Sequence, residues 1–214
     1  MPDVLQIMLG VGAANIALSF VLAGRRRRQR SRAIEAVALA VGWTFSRSDH
    51  RRHAHGLGIG PFRSLAVARS SNLVERADTA GDGRTFDAYF KTARAGYPTR
   101  AWATCAVVEM NEASTPFVVR RRARRDAITA WAGPAPIETG SADFDAAFRV
   151  WADDGDHALA VLNTDRQAWL MEANMPGTVE VSGKTVLVTH DGFLEVERIP
   201  ALLAYATAVA ELLA

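Results

Sequence analysis

From Val4 to Gly24 the chain runs 21 residues without a charged side chain. As a helix rising about 1.5 Å per residue, that stretch would measure roughly 31 Å, the thickness of a bilayer's hydrocarbon core. Gln6, Asn15 and Ser19 dilute it, as do Gly10, Gly12 and several alanines. Asp3 precedes it, and Arg25, Arg26, Arg27, Arg28, Arg30 and Arg32 follow it. A cleaved signal peptide carries positive charge ahead of its apolar run, so this order predicts a retained, single-pass transmembrane helix. Because arginines resist translocation and favour the anionic cytoplasmic leaflet, the N-terminus should lie outside and the rest of the chain in the cytoplasm. Gly10 with Ala14, and Ala13 with Ala17, place small residues four apart, which would let two such helices approach closely and self-associate.

Beyond the arginines, Ala33, Val37, Ala40 and Val41 recur at helical spacing before Gly42, predicting a short juxtamembrane helix over 31–41. Trp43 and Phe45 begin a strand, and the polar, glycine-punctuated residues from Ser46 to Pro61 read as a loop. Leu73 to Ala77 and Arg84 to Thr92 flank Gly81-Asp82-Gly83 as the arms of a hairpin. In its second arm Phe86, Ala88 and Phe90 alternate with Asp87, Tyr89 and Lys91, as in a strand with one solvated face. Ala101 to Met110 and Phe117 to Arg121 are two further strands, the second introduced by Pro116. Asp153-Asp154-Gly155-Asp156 is an acidic turn from which Asp156 would cap a helix through Leu162. Val179 and Val181 before Ser182-Gly183, with Val186 and Val188 after it, predict a second hairpin. Pro200 opens a C-terminal helix whose stripe is Leu202, Leu203, Ala206, Ala210 and Leu213.

The expected fold is therefore α+β: an N-terminal transmembrane helix, then an antiparallel-sheet domain with packed helices, the last at the C-terminus. The organisation follows as 1–24 for the tail and span, 25–42 for the basic juxtamembrane segment and short helix, and 43–214 for the cytoplasmic domain. A sub-boundary is expected near 133–136, where Gly133-Pro134-Ala135-Pro136 interrupts the pattern.

Charge refines this picture. Up to Arg125 there are 21 basic and 9 acidic residues, net +12; afterwards 4 and 14, net −10. Both Arg25 to Arg32 and the run Arg120, Arg121, Arg122, Arg124 and Arg125 are dense enough to meet anionic lipid headgroups. Without interleaved aromatic residues, the second run offers little to nucleic acid, which is disfavoured as a partner. The one cysteine, Cys105, lies in an apolar run and is expected to be a small buried thiol.

Candidate chemistry is sparse. Gly183-Lys184-Thr185 resembles the end of a phosphate-binding loop, but five residues separate it from Gly177, the nearest upstream glycine, where the motif needs four. His50, His53 and His55 are ligand types for zinc, yet Arg51 and Arg52 sit among them and no cysteine joins them. Asp153, Asp154 and Asp156 lack the length of a calcium loop. No cofactor or metal site is expected. An enzyme would need a site assembled from scattered groups such as His157, His190 and nearby acids.

Several stretches carry a resemblance: Pro61-Phe62, Gly83-Arg84-Thr85-Phe86-Asp87-Ala88-Tyr89 and Asp143-Phe144-Asp145-Ala146-Ala147-Phe148-Arg149-Val150, then Leu162, Trp169-Leu170 and the expected late hairpin. Over most of residues 43–195 the chain resembles a group of uncharacterised bacterial membrane-anchored proteins of the domain-of-unknown-function kind. It departs from them at Glu75 and Arg76 and at Asn163 and Thr164. The resemblance implies a cytoplasmic sheet-and-helix domain behind an anchor, and no activity. The expected function is that of a membrane-tethered binding module at the inner face of the membrane, with a protein partner, a lipid surface or a small ligand; the rival is a membrane-tethered, hydrolase-like enzyme.

Overall fold

A computed structural model describes residues 4–48, 66–78, 81–94, 97–122, 135–173 and 177–214. Helix α1 spans Val4–Ala40 without a break, so the apolar stretch, the arginines and the short helix expected after them form one rod about 55 Å long. Among the described residues no helix is long and apolar enough to cross a membrane; the side chains of residues 4–20, on which the span rests, lie outside them. The inward stripe of α1 is Ser31, Ile34 and Ala38, one residue out of phase with the expected one, and Leu39 and Val41 are exposed.

Six antiparallel strands follow: β1 (Thr44–Ser48), β2 (Ala66–Asp78), β3 (Gly81–Arg94), β4 (Tyr97–Arg121), β5 (Phe148–Ala152) and β6 (Thr178–Asp191). The sheet order is β1-β2-β3-β4-β5, with β6 also paired to β4. The β2–β3 register pairs Asp78 with Gly81, so Gly81-Asp82-Gly83, expected as the turn, belongs to the strand. Gly83 is selected there for space, since a Cβ would meet Leu203 Cδ1 at 2.9 Å.

The two strands expected on either side of Pro116 are one, β4, whose first half pairs with β3 and whose second half pairs with β5. The expected late hairpin is not formed. Val179 pairs with Val119 and Val188 with Ala106, so both valine arms lie along β4 as one strand. Between them the register steps from Glu109–Thr185 to Ser114–Gly183. Gly183 takes φ +57 at that step, and the extra residues fall on β4 as a bulge. A positive-φ glycine between valine runs serves a turn or a bulge equally well; the length of β4 decides for the bulge.

Short helices α2 (Ala142–Ala147), α3 (Gly155–Val161) and α4 (Thr164–Glu172) follow the acidic shift in composition. Each has an N-cap side chain: Ser141, Asp154 and Asn163 accept from the amides of Phe144, His157 and Arg166. The cap of α3 is thus Asp154, not the expected Asp156. The last helix, α5 (Ile199–Leu213), carries Pro200 in its first turn and buries Leu202, Leu203, Ala206 and Ala210 as expected.

One apolar cluster joins Ile34 and Ala38 of α1, Val74, Ala106, Val108, Val186 and Val188 of the sheet, Phe144 and Phe148, and Leu202 to Ala210 of α5. It draws on residues from both sides of 133–136. A second cluster holds Leu73, Phe86, Ala88, Phe90, Ala103, Cys105, Val107 and Leu187, the alternate positions of the same strands. Burial pushes the Cys105 thiol well above its ordinary range, against a lowering hydrogen bond from Thr189, and keeps it protonated.

One close approach is testable by substitution. A Cβ on Gly177 would collide with the backbone carbonyl of Thr189, which has no rotamer by which to retreat. Gly177→Ala should cost about 1–3 kcal/mol, whereas Gly24→Ala, inside α1 with nothing within 4 Å, should cost nothing and should stabilise by up to about 1 kcal/mol. Urea midpoints at equal slope provide the measurement.

Candidate functional site

The most organised polar structure lies where α1 leaves the sheet. Strand β2 carries a bulge in which Asn72 and Leu73 together oppose Phe86, between the pairs Ser71–Asp87 and Val74–Thr85. Asn72 sits there at φ +57, a left-handed conformation that asparagine tolerates better than most residues. The bulge re-aims its side chain: Asn72 Nδ2 donates to Asp87 Oδ2 at 2.8 Å, and Asn72 Oδ1 accepts from Ser31 Oγ at 2.6 Å.

Asp87 is 1% exposed. Arg30 meets its carboxylate in a two-pronged pair, Nε to Oδ2 at 2.8 Å and Nη2 to Oδ1 at 2.9 Å. Thr104 Oγ1 donates to Oδ1 at 2.9 Å and accepts from the amide of Leu194 at 3.0 Å. The remaining prong of Arg30, Nη1, donates to the Leu194 carbonyl at 2.7 Å. With four donors on two oxygens, the buried acid is satisfied, and α1, β2, β3, β4 and the 192–195 segment are tied at one point. The alternation that suggested a solvated Asp87 instead placed it beneath α1.

Next to this knot runs an aromatic row. Arg69 pairs in register with Tyr89, and Tyr89 with Trp102; the Tyr89 and Trp102 rings are 4.8 Å apart, as are those of Trp102 and Phe193. Two guanidinium groups lie over these faces: Arg27 at 5.2 Å from Trp102 and Arg30 at 4.6 Å from Phe193. Together they wall a cleft of about 240 Å³ lined by Gly24, Arg27, Arg28, Arg30, Ser31, Arg47, Arg69, Ser71, Asn72, Trp102 and Phe193. Arg47 arrives from β1, at the register position opposite Asn72. Among the described residues no carboxylate pairs with Arg28, Arg47 or Arg69.

The expected lipid-contact arginines therefore separate. Arg25, Arg26, Arg27, Arg28 and Arg32 lie on exposed parts of α1, but the Arg30 side chain is 15% exposed and is paired with Asp87. Arg120, Arg121 and Arg122 stand at the far end of β4 from Trp102, and Arg122 Nε donates to the Phe148 carbonyl at 3.4 Å. Arg124 and Arg125 lie outside the described residues, as do His50, His53 and His55. Arg47, Arg69, Trp102 and Phe193 were not anticipated, because their convergence depends on strand register.

The scattered histidines are not brought together. His157 Nε2 is 3.0 Å from Ser114 Oγ, beside the β4 bulge, while His190 pairs with Thr104. On β6 the partners of Ser114 and Thr104 are Gly183 and His190, roughly 23 Å apart along the strand.

No family model matches the chain, and neither does any curated protein. Among solved structures the fold is similar to the crystal structure of the mycobacterial trehalose monomycolate transport factor A, with a TM-score of 0.60 and 13% sequence identity, over 87% of this chain and 95% of that one. At that identity the likeness extends to the fold alone.

Proposed function

We propose that this protein is a membrane-tethered binding module, held at the inner face of a membrane by the first half of α1 and serving a transport or assembly process through its folded domain. The observation that carries this reading is the continuity of α1. The same helix holds the uncharged Val4 to Gly24 stretch, the arginine collar and the Arg30–Asp87 anchorage, so a tether would be rigidly joined to the domain. The fold likeness to a transport factor supports a transport-related role for the module. Self-association through Gly10, Ala13, Ala14 and Ala17, or a protein partner, fits the same reading. A hydrolase has in its favour the Ser114–His157 contact, but among the described residues no carboxylate bonds that imidazole to complete a triad.

The tether is tested by alkaline carbonate extraction of membranes carrying the full chain. It should remain with the lipid, and a reporter fused after Ala214 should be active only inside the cell. Release into the soluble fraction, or an external reporter, overturns the reading.

A further inference from the structure

We propose that the cleft at the root of α1 binds a phosphorylated polyol, the chemistry shared by glycerol- or sugar-phosphate lipid headgroups and their free soluble counterparts. The proposal rests on the membrane-module reading for where the ligand comes from, but not for its chemistry.

Arg27, Arg28, Arg30, Arg47 and Arg69 converge on one cleft from α1, β1 and β2. Of these, Arg30 has its carboxylate in Asp87, and no carboxylate among the described residues neutralises Arg28, Arg47 or Arg69. Like charges gathered at the mouth of a cleft raise the local concentration of anions, and guanidinium forks match the oxygens of a phosphate. The exposed flank is apolar: Phe193 is 44% exposed and packs against Trp102 with the two rings tilted by 35°. That wall suits the C–H face of a polyol and adds nothing for a bare phosphate. Volume sets the size. About 240 Å³ is room for roughly eight waters, which accommodates a phosphorylated glycerol or sugar but not an acyl chain. Position supplies the source, because Gly24 ends the uncharged stretch of α1 and lines the cleft. If α1 spans, the cleft opens at headgroup level.

The test uses the full chain in phosphatidylcholine nanodiscs, titrated by calorimetry with inositol 1-phosphate, inositol and inorganic phosphate. Inositol 1-phosphate should bind at least tenfold more tightly than either of the other two, with affinity falling as salt rises. The double variant Arg47→Gln/Arg69→Gln should lose about tenfold or more. Both side chains are exposed, so its melting temperature should not change. Phe193→Ala should bring inositol 1-phosphate down to the affinity of inorganic phosphate.

A second arm replaces part of the phosphatidylcholine with phosphatidylinositol. Loss of soluble-probe binding identifies the lipid headgroup as the occupant, while unchanged binding identifies the free phosphate ester. Equal binding of inositol and inositol 1-phosphate, or indifference to the arginine double variant, overturns the proposal. Should carbonate extraction release the chain while inositol 1-phosphate still binds, the tether falls and the cleft stands.

Discussion

Asp87→Ala should be among the most damaging single substitutions in the described part of this protein, costing about 3–5 kcal/mol and lowering the melting temperature on the order of 10 °C. The loss is not that of one ion pair between solvated groups. The Asp87 side chain is 2% exposed and that of Arg30 15%, so removing the acid leaves a guanidinium desolvated, with the Leu194 carbonyl as its main remaining acceptor. It also orphans Asn72 Nδ2 and leaves the Thr104 hydroxyl only the longer bond to the Gly192 carbonyl at 3.5 Å. Replacing both charges with apolar groups, Arg30→Met with Asp87→Leu, should recover more than half of the deficit, because no isolated charge then remains inside. Thermal and urea unfolding of the parent, Arg30→Met, Asp87→Leu and the double variant complete a double-mutant cycle, with Asp87→Ala measured beside them. An Asp87→Ala cost under about 1 kcal/mol would mean that Arg30 swings out to water and that α1 is not fixed there.

How much of this was visible in the chain depends on the range of the signal. The C-terminal helix was legible because its cause is local: Pro200 in the first turn and a stripe repeating every three or four residues. The antiparallel α+β character was legible too, since alternation in Phe86 to Lys91 and the valine runs carries the strand period. Pairing was not. Val179 to Val181 and Val186 to Val188 read as partners of each other because a short segment with Ser182-Gly183 separates them, yet both pair with β4, which no window of a dozen residues can reveal.

The site failed to show itself for a related reason. Ser70-Ser71-Asn72 carries no local pattern that marks it, and the bulge that makes Asn72 useful is defined by Asp87 and Thr85 on another strand. Arg47 and Arg69 looked like two scattered arginines in a chain that has 23. The available clue was Asp87 itself, a carboxylate between Phe86 and Ala88 in a strand whose neighbours bury both faces. An acid in that setting requires partners, and the nearest surplus of donors is the arginine collar.

Truncation exposes the same architecture at larger scale. Composition places the start of the folded domain at Trp43, but a chain beginning there should fail to fold, while one beginning at Val21 should give a soluble or detergent-soluble, cooperatively unfolding protein. Ile34 and Ala38 are each 1% exposed within the main core cluster, and deleting them uncovers Val74 and the neighbouring apolar groups, worth about 3–5 kcal/mol by analogy with large core deletions. Losing Arg30 strands Asp87 beneath the vacated groove, at a comparable further cost. Against a typical total stability of about 5–15 kcal/mol, the two losses together leave little or nothing. Near-UV circular dichroism and the urea midpoint separate the two chains. Adding Asp87→Leu to the shorter chain should restore part of its yield, since it removes the unpaired acid without replacing the helix. If the Trp43 chain melts cooperatively within a few degrees of the Val21 chain, the second half of α1 is a linker and the Arg30 anchorage is incidental. If only the Asp87→Leu version gains, the stranded carboxylate is what α1 chiefly exists to satisfy at this end of the sheet.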